Sequence, residues 1–109
     1  MKNPIGIHAL VWTGSWQRKD IDFAIGNSSK LGFDIIEIPL LNPYDFNYYY
    51  TKKVLDANQI RAVTSLGLSD KTDISSEDNE IRKNGSKLLF KALEMTNLIG
   101  SKYMGGVLY

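Results

Sequence analysis

The sequence has no cysteine, which leaves neither a disulfide framework nor a thiolate metal site to consider. It is also short of charge bias: 13 basic against 12 acidic residues give a net charge of +1, so nothing argues for a polyanionic partner such as nucleic acid. No stretch approaches the ~20 consecutive apolar residues of a membrane span. The opening MKNPIGIHALVW has no long apolar core before a small-residue cleavage site, so it does not look like a signal peptide. No GxGxxG follows the first apolar run and no GxxxxGK[ST] occurs anywhere, which removes support for nucleotide-binding folds. What remains is 43% hydrophobic and 23% charged over 109 residues, the make-up of one small globular domain. A cytoplasmic protein with no nucleic-acid or membrane partner is the default expectation.

The stretch 31–41, LGFDIIEIPLL, organises the rest. Gly32 ends a helical pattern, as a C-terminal glycine does. Residues 33–41 are then apolar except for Asp34, Glu37 and Pro39, which predicts a strand buried on both faces, the habit of parallel strands in α/β proteins. A carboxylate inside such a strand must be paired, neutralised or put to use. Glu37 is therefore either satisfied by a neighbouring strand or lysine, or it lines a polar cavity.

Residues 5–12 read as a first strand. In a strand, Gly6, His8, Leu10 and Trp12 share one face, while Ile5, Ile7, Ala9 and Val11 share the other and pack against helices. The face with a histidine and a tryptophan looks like a cavity lining, although a satisfied core histidine explains His8 equally well. Trp16 sits on the following loop, where a tryptophan either covers a ligand or packs on the neighbouring helix.

A helix is expected from Asp20 as N-cap, with Ile21, Ala24 or Ile25, Ser28 and Leu31 as its buried stripe. Asn42-Pro43 supplies a turn or cap, and Phe46, Tyr49, Tyr50, Val54 and Leu55 continue at mostly helical spacing to Asn58-Gln59. Residues 60–66 alternate as a third strand. After the polar loop 67–76, Ser75 and Asp78 fit a capping box for the next helix. Its stripe is Ile81, Gly85, Leu88, Leu89, Ala92, Leu93, Thr96 and Ile99, and Gly100 stops it. Residues 102–109, KYMGGVLY, begin a fourth strand.

Strand and helix thus alternate through four strands, which implies parallel pairing with right-handed crossovers. An open doubly wound sheet and half of a (β/α)8 barrel both fit. In either, functional loops lie at the carboxyl ends of the strands.

Three segments, GFDIIEIPL, SLGLSDKTDISSEDNEIR and IGSKYMGGVLY, in this order and at these distances, resemble the N-terminal half of D-tagatose/D-psicose 3-epimerase-like sugar epimerases. These belong to the xylose-isomerase-like TIM barrel superfamily. The resemblance covers residues 5–109, and the LGLS…DISSED loop followed by GGVLY is its more specific part.

The resemblance implies an α/β fold of parallel β/α repeats: the N-terminal half of a (β/α)8 barrel, residues 1–109, ending within strand four. It implies a substrate-binding set of His8, Trp16, Glu37, Ser65 and Gly106. It also implies a divalent metal (Mn2+, Co2+ or Mg2+) held by two glutamates, an aspartate and a histidine from later strands. The two glutamates would move the C3 proton through an enediolate. No catalytic residue and no metal ligand is then expected within residues 1–109, and this chain alone is expected to be inactive and to bind no metal. The implied partner is a ketose sugar, with a homo-oligomer left open. The alternatives are a non-catalytic half-barrel assembly module, or another sugar (phosphate) isomerase or inosose dehydratase of the same superfamily.

Overall fold

Ile36 and Ile38 are completely buried, whereas Ile35, Glu37 and Pro39 around them are half-exposed. That alternation divides the molecule into two sides, in a computed structural model that describes residues 3–107. The two isoleucines belong to β2 (Ile35–Pro39), which lies between β1 (Gly6–His8) and β3 (Arg61–Gly67). With β4 (Met104–Val107) the sheet runs β1-β2-β3-β4, every neighbouring pair parallel. The helices α1 (Arg18–Lys30), α2 (Tyr48–Asn58) and α3 (Asn79–Leu98) alternate with the strands. This is the parallel β/α arrangement that the alternation of elements predicts.

All three helices cover the Ile36/Ile38 side. Ile36 and Ile38 pack with Ile21, Ala24 and Ile25 of α1, Leu55 of α2, and Ile60 and Ile99. A second cluster joins Leu40 and Leu66 to Ala92 of α3. Burial of each isoleucine contributes roughly 1.5–3 kcal/mol. The polar groups inside this layer are paired. Thr96 donates its hydroxyl proton to the Ala92 carbonyl at 2.7 Å, so Thr64, 2.7 Å away, is the donor in the contact between the two threonines.

Several local expectations need correcting. The first strand ends at His8 rather than continuing to residue 12, because residues Ala9–Val11 form a 3-10 helix. Val11 therefore does not face the helices and is 68% exposed, with Leu10 at 52%. Trp12 leaves the expected cavity face: its indole N–H donates to Ser28 Oγ on α1 at 2.8 Å, and its ring meets Phe23 edge-on. Leu31, expected in the α1 stripe, is 66% exposed. On α3, Leu93 is exposed, while Met95 joins Gly85, Ala92, Thr96 and Ile99 in the buried set. The α3 cap is Asp78 accepting from the Glu80 amide, whereas Ser75 is tied to Asp73 inside the loop. Of the residues expected in the fourth strand, Leu108 and Tyr109 lie outside the described residues.

Asp20 is not the N-cap either. It stands three residues after the cap, Gln17, and its carboxylate accepts from the Gln17 amide (2.9 Å), Ser15 Oγ (2.6 Å) and Thr13 Oγ1 (2.8 Å). The Ser15 hydroxyl, then the Gln17 N–H and the Thr13 hydroxyl, hold the Asp20 pKa below the usual carboxylate range, against the effect of burial. A carboxyl lowered on folding adds stability above its unfolded pKa, about 3.9 for aspartate. The contribution is lost as pH falls through the lower folded value. Asp20→Asn should therefore melt below the wild type at neutral pH. The gap should narrow as thermal melts are taken progressively below about pH 4.

Candidate functional site

The helix-free side of the sheet collects the residues between the buried ones. Strand register fixes the set: Gly6 pairs with Ile35, His8 with Glu37, Glu37 with Val63, Pro39 with Ser65, and Ser65 with Gly105. Paired residues of parallel strands project to the same side. Three of the five residues expected to bind substrate thus share one face: His8, Glu37 and Ser65.

Within that set only two titratable side chains meet among the described residues. His8 Nε2 lies 3.2 Å from Glu37 Oε2, with the side chains 34% and 43% exposed. On the other side of the ring, His8 Nδ1 accepts the backbone N–H of Leu10 at 3.1 Å, which caps the 3-10 helix that ends β1. The strand reading made Glu37 either paired or cavity-lining. It lies next to a histidine, on the face without helices.

Gly106 and Trp16 are placed differently. Gly106 pairs with Leu66, a residue of the helix-covered side, and it is Gly105 that lies level with Ser65. Gly106 has φ +126°, and a Cβ there would run into the Leu66 backbone, so glycine is needed for the close approach of β4 to β3. Trp16 is half-buried against the helix layer, packed on the main core cluster. Its indole N–H donates to Thr51 Oγ1 of α2 at 3.0 Å, and Thr51 in turn donates to the Asn47 carbonyl at 2.7 Å. Beside it the Arg18 guanidinium lies 4.7 Å over the Tyr50 ring, and the Tyr50 hydroxyl donates to Asp22 at 2.7 Å. That hydrogen bond raises the Tyr50 pKa above the usual phenol range. The arrangement matches the packing alternative for Trp16: the ring joins the β1–α1 loop to α2.

The loop after β3 is held by its own side chains, with Thr72 bound to Ser69 and Ser75 bound to Asp73. The Ser75 hydroxyl and amide hold the Asp73 carboxyl below its usual pKa range. A cleft of about 380 Å3 opens at the amino ends of the strands, lined by Ile35, Arg61, Ile99 and Tyr103, away from His8 and Glu37. Among the described residues no three His, Asp or Glu side chains gather as a metal site would need. The divalent metal implied by the resemblance finds no fitting donor set here: His8 has spent Nδ1 on a backbone amide, leaving Glu37 beside a ring proton. No helix of the described residues is long and apolar enough to cross a membrane.

Four parallel strands with three alternating helices on one side make this a (β/α) unit of the barrel type, with His8, Glu37 and Ser65 on the side without helices. Known proteins agree with that class. The chain is 39% identical over 105 residues to the ketose 3-epimerase of Arthrobacter globiformis, covering 96% of this chain and 36% of that protein. It is 40% identical over 104 residues to the L-ribulose 3-epimerase of Methylomonas sp. (strain DH-1), at 95% and 36% coverage. Among solved structures, it superposes on a D-allulose 3-epimerase from Methylomonas sp. in complex with D-allulose with a TM-score of 0.94 and 40% identity. That match covers 97% of this chain and 37% of the other. No protein-family model matches the chain. By sequence and by fold, the chain is similar to the ketose 3-epimerases, as the resemblance indicated, and it spans about 36% of the length of those curated relatives.

Proposed function

We propose that this chain is one part of a ketose 3-epimerase barrel, the part that supplies a wall of the sugar pocket. The observation that supports it best is the superposition of 97% of the chain on an enzyme solved with D-allulose, at a TM-score of 0.94, while only 37% of that enzyme is matched. On this reading the overall reaction inverts C3 of a ketose by removal and return of a proton through an enediolate. Residues 1–109 bind and orient the sugar through the face that carries His8, Glu37 and Ser65. A divalent metal, Mn2+, Co2+ or Mg2+, would polarise the oxygens next to C3 when bound, and its ligands belong to strands other than these four. The 109-residue chain alone then has no turnover of its own.

The test joins this chain to the portion of the Methylomonas D-allulose 3-epimerase that follows the matched region. Epimerisation of D-allulose to D-fructose is then assayed with Mn2+. Turnover by the hybrid and none by the 109-residue chain is the expected result. Turnover by this chain alone, or its binding Mn2+ with a micromolar Kd in a calorimetric titration, would show the division of roles to be wrong. A folded but inactive hybrid would count against the epimerase reading itself. Among the described residues β1 and β4 each pair with one strand only, the observation that favours the assembly-module alternative. A defined dimer in size-exclusion chromatography, with an inactive hybrid, would select it.

A further inference from the structure

The contact between His8 and Glu37 is more informative than its place in a pocket wall, because the atoms used fix the chemistry of each partner. His8 Nδ1 accepts the Leu10 N–H at 3.1 Å, so it holds a lone pair and the neutral ring carries its proton on Nε2. Nε2 lies 3.2 Å from Glu37 Oε2, so the protonated nitrogen is in close contact with the carboxylate. Neither nitrogen is left as a base: one lone pair is committed to the backbone, and the other nitrogen is protonated. The device is local. The same 3-10 turn that ends β1 provides the Leu10 amide, and strand register brings His8 level with Glu37.

A carboxylate offers two oxygens and only accepts. One oxygen of Glu37 is beside the histidine, and its side chain remains 43% exposed on the helix-free face. We propose that His8 is a positioning residue and not a proton-transfer group, and that it holds Glu37 as a fixed acceptor for a hydroxyl of a polyhydroxylated ligand. A hydroxyl given to an ionised carboxylate makes a charge-assisted hydrogen bond, stronger than a neutral one. Pre-setting the carboxylate lowers the ordering cost of binding. The ligand class rests on the ketose reading, whereas the arrangement of the two side chains does not.

The sequence contains one histidine, so the ring-nitrogen NMR signals of the 109-residue chain report His8 alone. Spectra at about pH 9, where an ordinary imidazole is neutral, should show a single tautomer with Nδ1 bare and Nε2 protonated. Glu37→Ala should let the other tautomer appear, and Glu37→Gln, which keeps an oxygen in place, should restore the wild-type signals. D-allulose at high millimolar concentration should shift the Glu37 side-chain carboxyl signal, and His8→Ala should weaken that response several-fold.

An Nδ1–H tautomer would overturn the proposal, as would the mixed signals of a free imidazole or of an unfolded chain. Ring signals indifferent to Glu37→Ala would do the same, as would a Glu37 carboxyl that D-allulose leaves unmoved. The epimerase reading fails on a separate observation, the inactive folded hybrid, so the two failures are told apart.

Discussion

Truncating Trp16 to alanine is expected to cost about 3 kcal/mol of stability, the lower end of the range for a large aromatic removed from packed surroundings. The lower end applies because the ring is half-buried. In a domain of this size that corresponds to a fall in Tm of roughly 12–24 °C. The cost has two sources. The ring packs on the core cluster formed by α1, α2 and β2, and its N–H donates to Thr51, which is completely buried. Trp16→Phe keeps part of the packed ring and loses the hydrogen bond, so it should cost less than Trp16→Ala but more than the roughly 1 kcal/mol of the hydrogen bond alone.

The competing role, a cover over the sugar, predicts a different pair of numbers. In the hybrid enzyme it gives an unchanged Tm with a raised KM, whereas packing gives a lowered Tm with KM near normal in the molecules that stay folded. Thr51→Val separates them further. It removes the acceptor of the Trp16 bond without approaching the helix-free face, so it should lower Tm and leave KM alone. A melting temperature for Trp16→Ala within a degree or two of wild type would sink the packing account.

How much of this was legible in the sequence depended on the range of the interaction concerned. The strand around Ile36 and Ile38 was legible as an apolar run, but it was expected to be buried on both faces, whereas only the Ile36/Ile38 side is covered and Ile35, Glu37 and Pro39 are half-exposed. The parallel order followed from the alternation of elements. The end of the first strand was not legible: Ala9, Leu10 and Val11 continue an apolar run, and nothing in residue type alone shows the chain turning there. The turn is set by His8 Nδ1 accepting the Leu10 amide, with Trp12 then bound to Ser28 sixteen residues on. The same limit applied to Asp20. A cap and a residue three places inside the helix look alike by composition, and the distinction lies in Thr13 and Ser15 folding back onto the carboxylate. In the candidate site, the shared face of His8, Glu37 and Ser65 was legible from alternation, since each lies on a regular strand. For Trp16 the sequence left packing and a ligand cover both open, because the packing partner Thr51 is on α2, 35 positions away.

The second large effect is expected from one substitution made at two glycines. Gly85 lies in α3, and a Cβ there would collide with the Thr72 carbonyl and the Ile74 side chain. The loop after β3 rests on the helix through this missing side chain. Gly26 lies in α1 with nothing within 4 Å of where its Cβ would stand. Helix propensity alone favours alanine over glycine by roughly 0.8–1 kcal/mol at either site. Gly26→Ala should therefore stabilise the protein by up to about 1 kcal/mol. At Gly85 the same gain is opposed by forcing a backbone carbonyl aside, and overpacking of that kind costs about 1–3 kcal/mol. A carbonyl is less able to yield than a flexible side chain, so the upper part of that range applies and Gly85→Ala should be net destabilising by about 1–2 kcal/mol. Gly85→Val adds a β-branched side chain to the same collision and should displace the loop outright. The displacement is measurable as faster hydrogen exchange at the Thr72 and Ser76 amides, which now bond within the loop to the Ser69 and Asp73 carbonyls. If Gly85→Ala raised Tm as much as Gly26→Ala, the loop would not be resting on α3 at this point.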